Sequence, residues 1–163
     1  MATDPPPELM LTPLNGEPRP IADWVVLFPL ALVALDPYTY ESAWLLEEAG
    51  RILASFTAAD VRVGWLVTST ADEAREFLGP WAERLLTFVD PERDAVKGLG
   101  LQTLPAFVVV DMADKIGAVA EGWDPVAWRA AVGQLALILD WTKPAIPGPR
   151  APGPYPGTPA LAS

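Results

Sequence analysis

"TLPAFVVVD", residues 103–111, is the stretch whose reading decides the fold. Its apolar run is short and rich in β-branched and aromatic residues, and it ends at an aspartate. That pattern predicts a central strand. Downstream, "MADK" (112–115) reads as a turn and "KIGAVAEG" (115–122) as an antiparallel neighbour. "WDPVAWRAAVGQLALILDW" then predicts a helix, with Asp124 as N-cap and Pro125 at the first helical position. Val126, Ala130, Val132, Leu135, Ile138 and Leu139 fall along one side of it.

Upstream, the same logic gives an alternating pattern. "VVLFPLALVAL" (25–35) is a buried strand ending at Asp36-Pro37, with Pro29 marking a bend or an edge at its start. "SAWLLEEAGRILASF" (42–56) is a helix with Ser42 as N-cap and Trp44, Leu45, Ala49, Ile52, Leu53 and Phe56 on one face. "DVRVGWLVT" (60–68) is a strand. "TADEAREFLGPWAERLL" (70–86) opens with a Thr70/Glu73 capping box and is kinked or split at Gly79-Pro80. "LTFVD" is a short strand. "DPERDAVKGLG" supplies Asp90 as N-cap, Pro91 at the first helical position and a glycine stop. Because "GLG" (98–100) follows a helix, not a strand, it is not a dinucleotide loop.

Strands alternate with helices and close with a hairpin and a helix. The fold class is therefore α/β, with a central mixed sheet between two helical layers. The flanks differ in composition. Residues 1–23 hold six prolines and read as an extended arm. Residues 24–142 form the domain. Residues 143–163 hold seven prolines and three glycines and read as a disordered tail, either solvated or open to a polyproline-binding partner.

Composition removes whole classes of chemistry. The 163 residues contain no cysteine and no histidine. There is no disulfide, no thiolate metal site, and neither the commonest general base nor the commonest zinc ligand. A net charge of −10 disfavours nucleic acid and anionic membrane surfaces. It keeps the protein in solution or meets a basic partner. The longest apolar run, 24–35, is too short to span a bilayer. The start of the chain lacks the basic pattern of a signal peptide, so the expectation is a cytoplasmic protein.

Three stretches carry a resemblance. One is a strand, a turn and a helix whose first residues include T-x-x-S at 39–42. The second is "GLGLQTLPAFVVVD" at 98–111, and the third is "AVAEGWDPVAWRAAVGQL". Together, over roughly residues 24–140, they resemble the thioredoxin-like superfamily. The span between Ser42 and Pro105 exceeds that of a minimal thioredoxin. With "FVDPERDAVKGLGL" it is similar to the peroxiredoxin-like and TlpA-like branch. The resemblance implies that Thr39 and Ser42 stand where such proteins carry their redox cysteines. It implies that Pro105 is the cis-proline and that Leu104 lines a groove able to hold an extended peptide. A hydroxyl there has no redox couple and no histidine to act as its base, so thiol redox catalysis by this chain is excluded.

Tyr38 and Tyr40 flank the turn, where they either line such a groove or shield the loop. Trp123, at a helix start, is a further contact candidate. Asp36, Glu41 and Asp124 are the nearest carboxylates, with helix capping and dipole stabilisation as their plain roles. Asp111 and Asp114 fit a hairpin turn better than a cation site. No cofactor or metal is expected.

The implied function is a redox-inactive protein-binding module: an assembly factor, chaperone or accessory subunit. Hydrogenase-maturation chaperones of this fold are one precedent for a chain without the cysteine pair. The alternatives are a thiol-independent enzyme or small-molecule binder on the same scaffold, and a scaffold acting through its tails.

Overall fold

The computed structural model describes residues 2–161. Its first elements are β1 (Met10–Pro13), β2 (Arg19–Pro20) and α1 (Ile21–Trp24), followed by β3 (Leu30–Leu35) and α2 (Tyr40–Ala54). β4 (Arg62–Val67), α3 (Ala71–Leu78), α4 (Trp81–Arg84) and β5 (Leu86–Val89) come next. α5 (Asp94–Gly98), β6 (Thr103–Leu104), β7 (Ala106–Val110), β8 (Ile116–Glu121), α6 (Pro125–Leu139) and β9 (Thr158–Pro159) complete the order.

Seven strands form one mixed sheet in the order β2-β1-β5-β4-β3-β7-β8. β3 lies inside it, parallel to β4 and antiparallel to β7. All six of its residues are buried, because both faces of the sheet are covered. Ala31, Val33 and Leu35 face the layer built from α2, α6 and the α3–α4 pair, where Trp65, Phe107 and Trp128 fill the core. Leu30, Leu32 and Ala34 face the opposite layer, with Ile21, Trp24, Phe88, Val96 and Leu99. Each such side chain contributes roughly 1.5–3 kcal/mol on burial, so two facing cores hold the sheet with no crosslink.

Several local expectations hold. Thr70 and Glu73 form the capping box of α3. Gly79-Pro80 divides α3 from α4. Asp124 caps α6 through the amides of Val126 and Ala127. β7 and β8 form the hairpin around the "MADK" turn.

The flanks differ from their composition-based reading. The arm at 1–23 supplies two strands: β1 pairs antiparallel with β5, and β2 with β1. Residues 24–29 are a helix end and a turn, so the strand begins at Leu30, not at Val25. Residues 143–161, read as a disordered tail, lie along the domain. Ile146 and Ala160 are buried, Trp123 pairs with Tyr155, and β9 pairs with β6. Proline-rich chain has less backbone freedom to lose on ordering. A few buried side chains and backbone pairings then suffice, and a count of apolar residues does not register this.

Two helix faces are also shifted. Trp44 is exposed on α2, while Leu45, Glu48, Ala49, Ile52 and Leu53 are buried. On α6, Val126, Ala130 and Ile138 face outward. The buried stripe is Trp128, Ala131, Val132, Leu135 and Ala136, because Trp128 is the residue that stacks toward Phe107 of β7. Among the described residues no helix is long and apolar enough to cross a membrane, and no group of three acidic residues is placed to hold a metal ion.

Candidate functional site

The site sits at one rim of the sheet. β3 runs out at Leu35 and turns through residues 36–39 into α2. β7 begins at that same rim, because Ala34 lies opposite Ala106 in the antiparallel register. Leu104 and Pro105 therefore lie beside the turn that precedes α2. Their peptide bond is cis.

Asp36 organises the turn. Its main-chain oxygen accepts from the Thr39 amide (3.1 Å) and the Thr39 hydroxyl (3.0 Å). One carboxylate oxygen accepts from the Tyr38 amide at 3.0 Å, the other from Arg93 at 2.8 Å. Its own amide donates to the buried Ser42 hydroxyl oxygen at 3.0 Å. The N-cap of α2 is Thr39, whose hydroxyl oxygen accepts from the Ser42 amide. Ser42, expected as the cap, instead lies inside the helix and ties its first turn back to the end of β3. The cap preference for an extended residue before the helix explains the shift, since Thr39 has φ −120 and ψ 144.

Arg93 is the residue that sequence reasoning missed. It bridges the Asp36 carboxylate and, through its other terminal nitrogen, the main-chain oxygen of Ala160 at 2.5 Å. It sits at φ 63 just before α5, so Pro91 is not the first helical residue. Asp90 still serves that helix: its carboxylate accepts from the amides of Ala95 and Val96. Burial pushes the Asp90 pKa up, and those two amides pull it back in part. The signal in the sequence was an arginine in an otherwise acidic "DPERDA" loop, with no helix face to explain it.

The tyrosines behave differently from each other. Tyr38 is exposed and donates to Glu73 at 2.7 Å. That hydrogen bond, aided by partial burial and the Glu73 charge, pushes the phenol up to about 12. The same bond, with that from Thr70, lowers the Glu73 carboxyl. Tyr40 is exposed and stacks on Trp44 at 6.5 Å, and Trp44 meets Tyr155 edge-on at 5.6 Å. An aromatic row thus borders the rim, with Trp44 in it although its spacing suggested the core.

Trp123 is fully buried, not a surface contact. What covers it is residues 152–155 of the same chain. Its indole donates to the Pro152 oxygen at 2.9 Å, and its backbone exchanges two hydrogen bonds with Tyr155. The Tyr155 hydroxyl donates to the Glu41 oxygen at the start of α2. Burial, then the Glu41 charge, pushes its pKa up.

Leu104 pairs with Thr158 and Thr103 with Pro159, and the Ala160 amide donates to the Gln102 oxygen. On the other side of this short strand, Glu121 accepts from the amides of Gln102 and Thr103. The edge beside Pro105 is thus held rigid by β8 and occupied by residues 158–160. An apolar cavity of about 380 Å³ bounded by Leu27, Pro29, Met112 and Ile138 lies at the opposite rim, away from Thr39, Ser42 and Leu104.

Similar solved structures share this arrangement of elements. The exposed lipoprotein thioredoxin Etrx1 of Streptococcus pneumoniae superposes with a TM-score of 0.60 at 18% identity, covering 80% of this chain and 98% of that one. A secreted disulfide oxidoreductase of Mycobacterium tuberculosis, homologous to E. coli DsbE, gives 0.57 at 18% identity over 80% and 91%. The thioredoxin domain of a thiol-disulfide oxidoreductase from Bacteroides vulgatus gives 0.55 at 14% identity over 71% and 86%.

The fold is thioredoxin-like.

No protein-family model matches the chain, and no curated protein matches it in sequence. The thioredoxin-like neighbours named above include two thiol-disulfide oxidoreductases, whereas this chain has no cysteine. The scaffold is compatible with a redox-inactive role.

Proposed function

We propose that this thioredoxin-like chain is a redox-inactive protein-binding module, an assembly factor, chaperone or accessory subunit that holds another protein through the rim described above. One observation carries the reading. The backbone edge at Thr103–Leu104 holds an extended segment by antiparallel pairing, with no reacting group beside it. Main-chain pairing supplies affinity without demanding one particular sequence, and neighbouring side chains then select. The exposed Tyr38, Tyr40 and Trp44 are aromatic contact residues of the kind enriched at protein interfaces. Thr39 and Ser42 are the degenerate redox positions, retained as a helix start. A multi-subunit redox enzyme such as a hydrogenase is the class of client that a cysteine-free chaperone of this fold serves.

The test is capture of a partner from lysate of the native host, with quantification of stoichiometry. The expected result is one protein recovered near one-to-one, and reduced recovery when Tyr40 and Trp44 are both changed to alanine. If no stoichiometric partner appears while a metabolite raises the thermal midpoint of the purified protein, the binding reading fails.

A further inference from the structure

We propose that residues 155–160 are an intramolecular plug. They fill the strand-accepting groove at Thr103–Leu104, and a partner must present an extended segment that displaces them. The inference rests on the protein-binding reading and deepens it. It is carried by the way the segment is held.

Two separate anchors fix the C-terminal segment. The first is at residues 145–148. The buried Glu48 accepts from the Gly148 amide at 2.7 Å and pairs with Arg51 at 2.9 Å. Arg51 donates to the Ala145 oxygen and Arg129 to the Ile146 oxygen, while the Ile146 side chain is buried. The second anchor is the groove itself. There the backbone of Tyr155 pairs with Trp123, Thr158 lies opposite Leu104, Arg93 donates to the Ala160 carbonyl and the Ala160 amide donates to the Gln102 oxygen. Between the anchors, residues 149–154 ("PRAPGP") are held more lightly: Ala151 packs against the core and donates to the Gly148 oxygen, and the Pro152 oxygen accepts from the Trp123 indole.

This division makes release local. The first anchor uses charged and buried groups of α2 and α6. The groove contacts are mostly main-chain, with Tyr155, the Thr158 hydroxyl and the small buried Ala160 as the side chains that take part. A segment tethered by six residues faces the groove at an effective concentration on the order of millimolar. A competing strand therefore enters only if it binds well or if the tether is disengaged. The aromatic row extends the groove: Tyr155 seats against Trp44, so an incoming segment with an aromatic residue three positions before its paired strand reproduces the contact.

Two glycines allow the fit. Gly157 has φ +87, and a Cβ there would stand 2.5 Å from the Leu104 oxygen. Gly122 has φ +72, and a Cβ there would stand 2.5 Å from the Pro156 oxygen. Gly157 lies in the plug itself, so Gly157→Ala dislodges the plug while leaving the domain intact. Gly153 lies in open space with nothing within 4 Å, and Gly153→Ala is the matched control.

The experiment uses the full chain in wild-type, Gly157→Ala and Gly153→Ala forms. A fluorescently labelled peptide of residues 153–161, "GPYPGTPAL", serves as the probe, read by polarisation. Hydrogen exchange of the Trp123, Tyr155 and Ala160 amides is read alongside. The expected result is protection of those three amides in the wild type and in Gly153→Ala. In Gly157→Ala the protection is lost, with β3, β4 and β7 still protected and peptide affinity raised at least about tenfold. Unprotected amides in the wild type, equal peptide binding by all three forms, or no peptide binding by Gly157→Ala would each overturn the plug. None of these results decides whether the chain recovers a stoichiometric partner from lysate, so the two readings fail separately.

Discussion

Arg93→Ala is the perturbation that most directly weighs the site. The Asp36–Arg93 pair spans 2.8 Å, with 7% and 15% of the two side chains exposed. Coulomb attraction at that distance is about 6 kcal/mol at an effective dielectric of 20, and desolvation of both ions removes much of it. Deleting the arginine leaves a carboxylate buried with one amide partner, that of Tyr38. Breaking a buried pair from one side costs roughly 3–5 kcal/mol. The arginine is partly open to solvent, which places the expected loss near the lower end, about 3 kcal/mol. Asp36→Asn keeps the shape but has a single acceptor oxygen: with that oxygen on the Tyr38 amide, its NH2 faces the Arg93 donors and leaves the arginine unpaired, at about 3 kcal/mol, the lower end for a pair broken from one side. The double variant decides between mechanisms. Once the arginine is gone, neutralising Asp36 removes the stranded charge, so Asp36→Asn/Arg93→Ala should be more stable than Arg93→Ala alone by about 1–2 kcal/mol. Urea unfolding followed by tryptophan fluorescence measures all four species. Additive losses, with the double variant the least stable of the set, would refute the argument that the charge pair organises this turn.

The other predictions concern how the rim is supported. Ser42→Ala should cost more than Thr39→Ala. The first strands a buried Asp36 amide, at roughly 1–3 kcal/mol. The second removes a long 3.5 Å cap bond and the 3.0 Å bond from the Thr39 hydroxyl to the Asp36 oxygen, an oxygen that keeps the Thr39 amide as donor, at about 0.5–1 kcal/mol. Chemical denaturation ranks the two. Gly50→Ala gains about 1 kcal/mol of helix propensity, but its Cβ would stand 2.4 Å from the Trp81 ring. Overpacking of roughly 1–3 kcal/mol should win, and the same substitution in a Trp81→Ala background should become stabilising, as thermal melts of the cycle will show. Tyr38 titrates near 12 instead of its ordinary 10. Its hydrogen bond to Glu73 therefore stabilises the fold fully below pH 10 and is lost as pH rises through 12. Carbon-13 NMR of the phenol ring should show that midpoint fall toward 10 in Glu73→Gln.

The order of strands and helices was legible because each element carries its own period and its own caps. Thr70/Glu73, Asp124-Pro125 and the "AFVVV" run are local signals that tertiary context did not override. The flanks were not legible, for a shared reason. Strands β1, β2 and β9 are two to four residues long and rich in proline; β1 and β9 pair with strands far away in sequence, and β2 pairs only with β1. No periodicity exists over so few residues, and edge pairing is set by the receiving strand. Trp44 was misplaced because helical periodicity gives a face but not its centre. Trp44 and Glu48 lie one turn apart on the same edge of α2: Glu48 is buried because Arg51 and Gly148 cover it, and Trp44, one turn nearer the rim, is left exposed. Thr39, Ser42, Leu104 and Pro105 were singled out through the resemblance carried by the stretches around them. Arg93 was not, since its two partners lie 57 and 67 residues away.

Thr39 and Ser42 bear on whether any chemistry is available at this rim. A nucleophilic hydroxyl needs a base within hydrogen-bond reach and a free approach for substrate. Thr39 donates to the Asp36 main-chain oxygen, and its own oxygen faces the Ser42 amide. Ser42 is fully buried and accepts from the Asp36 amide. Neither hydroxyl has a carboxylate or an amine as its partner. The nearest carboxylate, Asp36, already takes Arg93 and the Tyr38 amide on its two oxygens. Both hydroxyls are thus engaged in closing a turn. What the rim still offers is a rigid main-chain edge with aromatic residues beside it. Under the proposed binding role, that edge makes partner binding the activity to measure first.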